Sequence, residues 1–464
     1  MTWTRKIAFA AALISLAGCA KYHEKPITTE AVDRQLTPPD QGALAESVRQ
    51  LQHPLLQPIP LDLSDGLSPD EAALVAVMVN PELRAERNRR GVAAAQAIQA
   101  GLLPNPQLAG GVEFPFDASP PDDFTAYSLG IEWEATALLG RGDRRRAASE
   151  QAASVDLEVA WKEWQVAQQA RSAAYAVIAL EAQAREAELA QQELVRSLAV
   201  ASRAVEQHDK TVLDLAAVEA TAQELNTLLL TQQGDLARAR LTLNRSLGLP
   251  ASKRIEMRDG ESLPSALKPP PQEELLDGLE FRRLDLVALR HGYKSQDATL
   301  RAAIVTQFPR IVLGGSVARD ASDVRTVGPS ATADLPIFDH GQGTIAVENA
   351  TRDKLFDEYV SRVFAARADL AAAAAEIDSA TRQLAAIEAA IPSLERLSQA
   401  YGAALKRGDV DVIGFYPLQV TLMQRRLDAI KLRQQLINGW ITLELAAGRY
   451  LPLPTTATTQ QATP

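Results

Sequence analysis

The residues that could support chemistry are scattered along this sequence. Five histidines occur, none within an HExxH motif or beside a cysteine that could complete a zinc site: His23, His53, His208, His291 and His340. Gly341 and Gly343 begin a GxG pattern, but Ala346 occupies the third glycine position. These glycines more simply allow a strand to pass into a helix. The sequence therefore predicts no metal site, no cofactor and no enzymatic activity.

The only cysteine, Cys19, lies in a context that predicts a covalent modification. Arg5 and Lys6 precede an apolar run over residues 7–16 that is too short to span a bilayer, and the tetrapeptide LAGC follows. This order is typical of a bacterial lipoprotein signal, so we expect removal of residues 1–18 and lipidation of Cys19. An ordinary signal peptide with an incidental cysteine is the alternative. The absence of aspartate directly after Cys19 is typical of lipoproteins sent to the outer membrane.

Charge and hydropathy limit the partners of the mature chain. The formal net charge is -10, which argues against nucleic acid as a partner. After the signal, no segment approaches eighteen consecutive apolar residues, so no transmembrane helix is predicted. Any part that crosses a membrane must then do so as strands.

Two halves of the chain repeat one plan. NPEL at residues 80–83 aligns with RLDL at 283–286, and LTLNRSLG at 241–248 aligns with ITLELAAG at 441–448. Each half is predicted to run as helix, strand pair, long helix, turn and helix. We assign the remaining boundaries as follows: an extended proline-rich arm at residues 19–65, a first repeat at 66–250, a linker at 251–280, a second repeat at 281–450 and a disordered tail at 451–464.

The long helices are predicted over residues 142–208 and 341–407, each about 100 Å long. In the second, two interleaved seven-residue series form a coiled-coil seam, and its many alanines predict close helix packing. The series are Val363, Leu370, Ile377, Leu384 and Ile391, and Ala366, Ala373, Ala380, Ile387, Leu394 and Tyr401. Pro392 interrupts the seam and predicts a kink or local unwinding.

The strand pairs are predicted between the short and long helices. Alternating apolar residues mark strands over 108–116 and 127–133, and weaker signals mark 310–318 and 325–335. Four strands are too few to close a barrel or to hide their edges in lipid. A trimer would supply twelve, so the sequence predicts a homotrimer.

The duplicated plan, with GLLPNPQL before the first strand and LPIFDHG before the second long helix, resembles the TolC-like outer-membrane efflux family over residues 66–450. This resemblance implies a mainly helical fold with a trimeric 12-stranded β-barrel continued by a helical barrel. It also implies a passive conduit that works with a periplasmic adaptor (membrane fusion) protein and an inner-membrane pump of the proton-driven resistance-nodulation-division type. NPEL and AGLLPNPQL are most similar to the CzcC-type cation-efflux branch, although drug-efflux members are also lipidated.

The resemblance places the turns of the two long hairpins at the periplasmic tip. Asp409 and Asp411 would form an acidic ring there, and they become candidates for the gate. Helix capping by these aspartates is the alternative. In the first turn, Thr211 and Asp214 have capping-box spacing. The remaining tip residues are candidate adaptor contacts: His208, Asp209, Lys210, Arg407, Gly408 and Val410.

Three consecutive arginines, Arg144, Arg145 and Arg146, begin the first long helix. They would contact outer-membrane lipid headgroups or form a solvated helix face.

The competing function is a periplasmic coiled-coil scaffold lipoprotein without a pore. A scaffold explains the anchor and the heptads, but it leaves the matching strand pairs unexplained.

Overall fold

The computed structural model describes residues 21–114, 124–407, 409–410 and 415–453. It divides into two units, residues 1–39 and 40–464. The described residues of the first unit contain one helix, α1 (Thr29–Leu36), whose N-cap is the side chain of Thr28 and which buries no residue. Cys19 and the signal lie outside the described residues.

The described residues of the second unit contain ten helices, four strands and two 3-10 turns. Its helices are α2 (Gln41–Arg49), α3 (Pro69–Val79), α4 (Pro81–Gly101), α5 (Arg141–Glu206), α6 (Val212–Leu247), α7 (Gln272–Leu276), α8 (Leu279–Arg282), α9 (Leu284–Ile304), α10 (Gln342–Arg407) and α11 (Phe415–Ala447). Its strands are β1 (Gln107–Glu113), β2 (Ala126–Glu134), β3 (Ile311–Arg319) and β4 (Arg325–Ala333). A 3-10 turn joins β2 to α5, and a second one joins α9 to β3.

The predicted repeat is confirmed element by element. The first repeat runs α4, β1, β2, α5, α6, and the second runs α9, β3, β4, α10, α11. The short helices are both 21 residues long, and the long helices are both 66 residues long. At 1.5 Å per residue each long helix extends about 100 Å.

Glycines end the two return helices in the same way. Gly248 and Gly448 both have positive φ, 72° and 62°. A Cβ on Gly248 would lie 2.7 Å from the Cα of Asn80, and one on Gly448 would lie 2.8 Å from the Cα of Arg283. At the end of each repeat, a glycine in the left-handed conformation therefore packs directly against the backbone residue that precedes the short helix of the same repeat.

The predicted seam of α10 is buried over its middle. The buried positions alternate in steps of four and three residues: Ala366, Leu370, Ala373, Ile377, Ala380 and Leu384. Packing is close, as predicted, because a Cβ on Gly439 of α11 would lie 2.9 Å from Cγ1 of Ile377. At Pro392 a kink or local unwinding was predicted, and the helix α10 continues through that residue without unwinding.

The arm and the tail differ from the prediction at particular residues. The arm was expected to be extended, yet it contains α1 and α2, and Asp40 caps α2 through its side chain. These short helices lack a sustained apolar period, which is why the sequence did not reveal them. The tail was expected to be disordered from residue 451, but Leu451 is buried and its carbonyl accepts a hydrogen bond from the indole of Trp440 at 2.9 Å. Residues 454–464 lie outside the described part.

The four strands form one antiparallel sheet in the order β1-β2-β3-β4. The central pairing, β2 with β3, joins the two repeats, and Leu129 faces Val317 across it.

Among the described helices, none has both the length and the sustained hydrophobicity that a membrane span requires.

Candidate functional site

The sheet has two chemically different faces. Directly paired residues share a face, and successive residues of a strand alternate between faces. One face is largely apolar and includes Leu108, Val112, Tyr127, Leu129, Ile131, Trp133, Leu313, Val317 and Val327. The other is mostly small or polar and includes Ala109, Gly111, Ser128, Gly130, Glu132, Gly314, Ser316, Ala318, Thr326, Gly328 and Ser330.

Neither face of this sheet is covered by the other residues that the structure describes. No residue of the four strands is buried, and Leu108 and Val327 are 72% and 82% exposed. A contiguous exposed apolar surface of this kind indicates an apolar environment or a partner. Three of the strands are nine residues long, which matches a tilted membrane-crossing strand. Within the described residues, β1 and β4 each pair on one side only.

The first tip joins α5 to α6 through a tight turn. The backbone N–H groups of Asp209 and Lys210 both donate to the carbonyl of Ala204, at 2.9 and 3.3 Å. His208 reaches this geometry with a φ of 63°, a conformation that favours glycine. His208 and Asp209 are exposed, and Lys210 is half-buried.

The predicted capping box at the start of α6 is confirmed. The hydroxyl of Thr211 accepts from the N–H of Asp214 at 3.2 Å, and the carboxylate of Asp214 accepts from the N–H of Thr211 at 2.9 Å. This reciprocal pair fixes where the return helix begins. It thereby fixes the length of the turn that the tip presents.

The second tip repeats the main hydrogen bond of the first. The N–H of Asp409 donates to the carbonyl of Ala404 at 3.0 Å, two hundred positions after the corresponding bond from Asp209 to Ala204. The carboxylate of Asp409 also pairs with Nε of Arg407 at 2.7 Å, and both side chains are exposed. One gate candidate therefore has an adjacent cation. Gly408 and the other candidate, Asp411, lie outside the described residues.

A buried aromatic and aliphatic cluster joins the two hairpins short of their tips. Its buried members are Leu194, Val218, Leu225, Tyr416, Met423 and Leu427. Burial raises the pKa of the Tyr416 hydroxyl, although a hydrogen bond with Ser197 opposes that shift. Phe415 stacks on Tyr401 with a centroid distance of 6.3 Å. The cluster fastens α11 to the first hairpin, so the two tips are held side by side.

Two exposed apolar residues at the first tip were missed by the sequence reasoning. Val212 and Leu213 follow the capping threonine and are 72% and 78% exposed. Their signal was the placement of two large apolar side chains in the first turn of α6, directly after an N-cap. An apolar pair at the end of a long hairpin is a feature of contact surfaces.

A buried ionic network holds the two repeats together in the helical body. Arg171 of α5 pairs with Glu444 of α11 at 2.6 Å and with Asp70 of α3 at 2.8 Å. Gln168 donates to the same Glu444 carboxylate at 3.0 Å. Burial raises the pKa of Glu444 to about 7, while Arg171 opposes that shift. Although burial lowers it, the carboxylates of Glu444 and Asp70 hold the pKa of Arg171 above its ordinary value.

His53 holds the arm to the helix α5 through a hydrogen bond, and it has no metal partner in the described residues. Its Nδ1 accepts from the N–H groups of Leu55 and Leu56, both at 3.0 Å, so Nε2 carries the hydrogen that is donated to the carbonyl of Ala160 at 2.9 Å. Burial lowers the pKa of His53. The described residues contain no group of three His, Cys, Asp or Glu side chains that could hold a metal ion.

Comparison with known proteins gives a family match over part of the chain and a shared fold. The family model described as outer membrane efflux protein matches residues 275–449. No protein of curated function matches the sequence. The matching family and folds describe channels rather than enzymes.

Several solved channel structures share the fold at low sequence identity. The CusC structure is 18% identical with a TM-score of 0.70, and the match covers 86% of this chain and 98% of CusC. VceC from Vibrio cholerae is 16% identical with a TM-score of 0.68, covering 82% and 96%. The open state of MtrE from Neisseria gonorrhoeae is 17% identical with a TM-score of 0.64, covering 86% and 97%. The chain therefore has the fold of these outer-membrane channels, and its residues 275–449 match the outer membrane efflux protein model.

Proposed function

We propose that three copies of this chain form a passive conduit through the outer membrane of a Gram-negative cell. One observation carries the proposal: a four-stranded sheet with an exposed apolar face, an exposed small and polar face, and two edges unpaired within the described residues. Pairing β4 of one copy with β1 of the next would join twelve strands into a closed barrel. The apolar face would then meet lipid, and the small and polar face would line the lumen.

The helical hairpins would continue this conduit for about 100 Å into the periplasm. We propose that their tips dock on a periplasmic adaptor that connects to a proton-driven inner-membrane pump. The exposed tip residues Val212 and Leu213 join the earlier candidates His208, Asp209, Lys210, Arg407, Gly408 and Val410 as contacts. A lipid on Cys19 would anchor the arm of each copy.

The gate proposal rests on the acidic residues of the second tip. Asp409 and Asp411 of three copies would surround the periplasmic opening and favour cations. Because Arg407 pairs with Asp409, the field of that carboxylate is partly neutralised. The similarity to the cation-efflux branch makes divalent metal ions the first substrates to test, with drugs as the second class.

A matched pair of substitutions tests the conduit. Leu129→Arg adds a charge to the apolar face, and Ser128→Arg adds the same charge to the opposite face one residue earlier. Arginine on a lipid-facing strand costs about 2–4 kcal/mol near the bilayer midplane, whereas a lumen position tolerates it. We expect Leu129→Arg to lose trimeric outer-membrane assembly, and Ser128→Arg to assemble with altered conductance.

The measurements are the native mass in mild detergent and single-channel conductance in planar bilayers. A scaffold without a pore would give a wild-type protein that does not conduct, and both arginine variants would behave alike. Either result would overturn the conduit.

A further inference from the structure

A charged pocket of about 310 Å³ lies between α5 and α9, on the helical side of the junction with the strands. Its lining residues come from both repeats: Arg146, Glu150, Tyr293, Lys294, Asp297, Ala298 and Arg301. The pocket thus combines three basic side chains with two carboxylates.

Both carboxylates of this pocket already have partners. Glu150 contacts Nδ1 of His291 at 2.7 Å, and Asp297 pairs with Arg301 at 2.8 Å. Arg146 and Lys294 are exposed and have no ion-pair partner among the described residues. Arg146 and Lys294 therefore remain in the pocket as cations without an ion-pair partner among the described residues, although the chain as a whole has a net charge of -10.

The consecutive arginines of the sequence are separated by the structure. Arg144 turns back and donates to the carbonyl of Ala137 at 2.8 Å, which helps to end the 3-10 turn. Arg145 is exposed and does not line the pocket, whereas Arg146 does. Only one of the three is thus built into a binding cavity.

The pocket lies at the depth where headgroups would be expected. Arg146 is five residues from the start of α5 and Arg301 is three residues from the end of α9, so they lie about 8 and 5 Å from the helix ends. The polar layer of a bilayer extends about 5–8 Å beyond each side of its hydrocarbon core. Exposed apolar side chains occur in the segments that join the strands to the helices, and we name them the junction collar: Leu102, Leu103, Leu138, Leu139, Phe308, Ile337 and Phe338.

We propose that this pocket binds the headgroup phosphate of an anionic phospholipid, whose acyl chains lie along the junction collar. The proposal rests on the proposed function, because the collar meets lipid only if the strands cross the membrane. The two unpaired cations supply the phosphate contacts, and the collar next to them supplies the apolar contact that a free anion would not use.

The test is a lipid titration of the purified full-length trimer, followed by native mass spectrometry. The probes are dioleoyl phosphatidylglycerol and dioleoyl phosphatidylcholine, which share acyl chains and differ in charge. We expect the wild type to bind phosphatidylglycerol about thirtyfold more tightly than phosphatidylcholine, which corresponds to roughly 1 kcal/mol from each of the two basic residues. The Arg146→Gln/Lys294→Gln variant should lose this preference, and Arg146→Lys/Lys294→Arg should retain it.

A matched control removes the same two charges elsewhere. Arg185 of α5 and Lys431 of α11 are exposed and far from the junction, so Arg185→Gln/Lys431→Gln should keep the wild-type preference. Equal binding of the two lipids by the wild type, or an unchanged preference after Arg146→Gln/Lys294→Gln, would overturn the proposal. Displacement of the lipid by excess inorganic phosphate would also overturn it, since the pocket would then be a general anion site. The same spectra report the trimer, so a failure of assembly is distinguished from a failure of lipid selection.

Discussion

The two long helices have the same length but very different surroundings. α5 buries side chains on several sides because it packs against α3, α4, α6, α9 and α11, and its buried residues include charged Glu163 and Arg171. α10 packs mainly on α9 and α11, and it buries one alanine-rich seam without a charged residue among its described buried positions. Duplication has therefore produced one central helix and one peripheral helix from the same plan.

Because α10 has fewer helix neighbours than α5, one side of α10 stays exposed. The free side of α10 presents two large apolar residues four positions apart, Val360 and Phe364, which are 50% and 75% exposed. The central helix α5 instead packs against five other helices of its own chain. The second repeat is thus the side on which a neighbouring copy would complete the packing.

The largest expected effect distinguishes the buried arginine of α5 from an exposed arginine of α10. Arg171→Met should destabilise the protein by about 3–5 kcal/mol, because Glu444 would remain buried without its cation. The control, Arg382→Met, removes a largely exposed pair with Asp378 and should cost less than about 1 kcal/mol. Thermal unfolding in detergent, followed by circular dichroism, measures both. Similar losses in the two variants would mean that α5 is not the central helix.

The central and peripheral helices should also differ in how they affect assembly. Phe364→Glu should leave the helical content of each copy unchanged and shift the population from trimer to monomer, because it charges the free apolar side of α10. Asp369→Lys changes charge on a different side of the same helix and should preserve the trimer. Native mass spectrometry at matched protein concentrations gives the ratio of trimer to monomer for each variant. If the Phe364→Glu variant still forms a trimer, this side of α10 does not lie in the interface between copies.

The return helices end in aligned residues whose responses to pH should differ. Burial raises the pKa of Glu444 from 4.5 to about 7, so the native state holds this proton more tightly than the unfolded state. The stabilisation from that proton is complete below pH 4.5, and it is lost as the pH rises through about 7. It amounts to roughly 3 kcal/mol at most.

The experiment compares the unfolding free energy of wild type and Glu444→Gln between pH 5 and pH 8. We expect the wild-type advantage to shrink as the pH rises. The aligned residue of the first repeat, Asn244, donates to the carbonyls of residues 250, 251 and 253 and has no titratable group. Asn244→Ala should therefore lower stability equally at every pH. A pH-independent difference for Glu444→Gln would show that the carboxyl does not titrate in this range.

The sequence predicted α10 better than it predicted the surroundings of α5, and the reason is physical. A helix with a single seam shows its heptads, so Ile377 and Leu384 were placed correctly from spacing alone. A helix surrounded by partners shows no simple period, and the pairing of Arg171 with Glu444 joins residues 273 positions apart. Spacing cannot reveal such a contact. The strands were located by alternation, but their two faces required the cross-strand register.

The smallest expected effect concerns the first tip, where a histidine stands at a position that is glycine in the second repeat. His208 holds a φ of 63° at the position that aligns with Gly408, so His208→Gly should relieve backbone strain and stabilise the first hairpin by up to about 1 kcal/mol. Asp209→Gly is the control, because Asp209 is not among the positive-φ residues and glycine there should destabilise slightly. Hydrogen exchange of the amides around the turn measures both. If His208→Gly stabilises the turn but weakens binding of a periplasmic adaptor, the imidazole was retained for contact and not for folding. If it instead destabilises the turn, the two tips do not share one backbone geometry, and the close correspondence between the repeats ends before the tip.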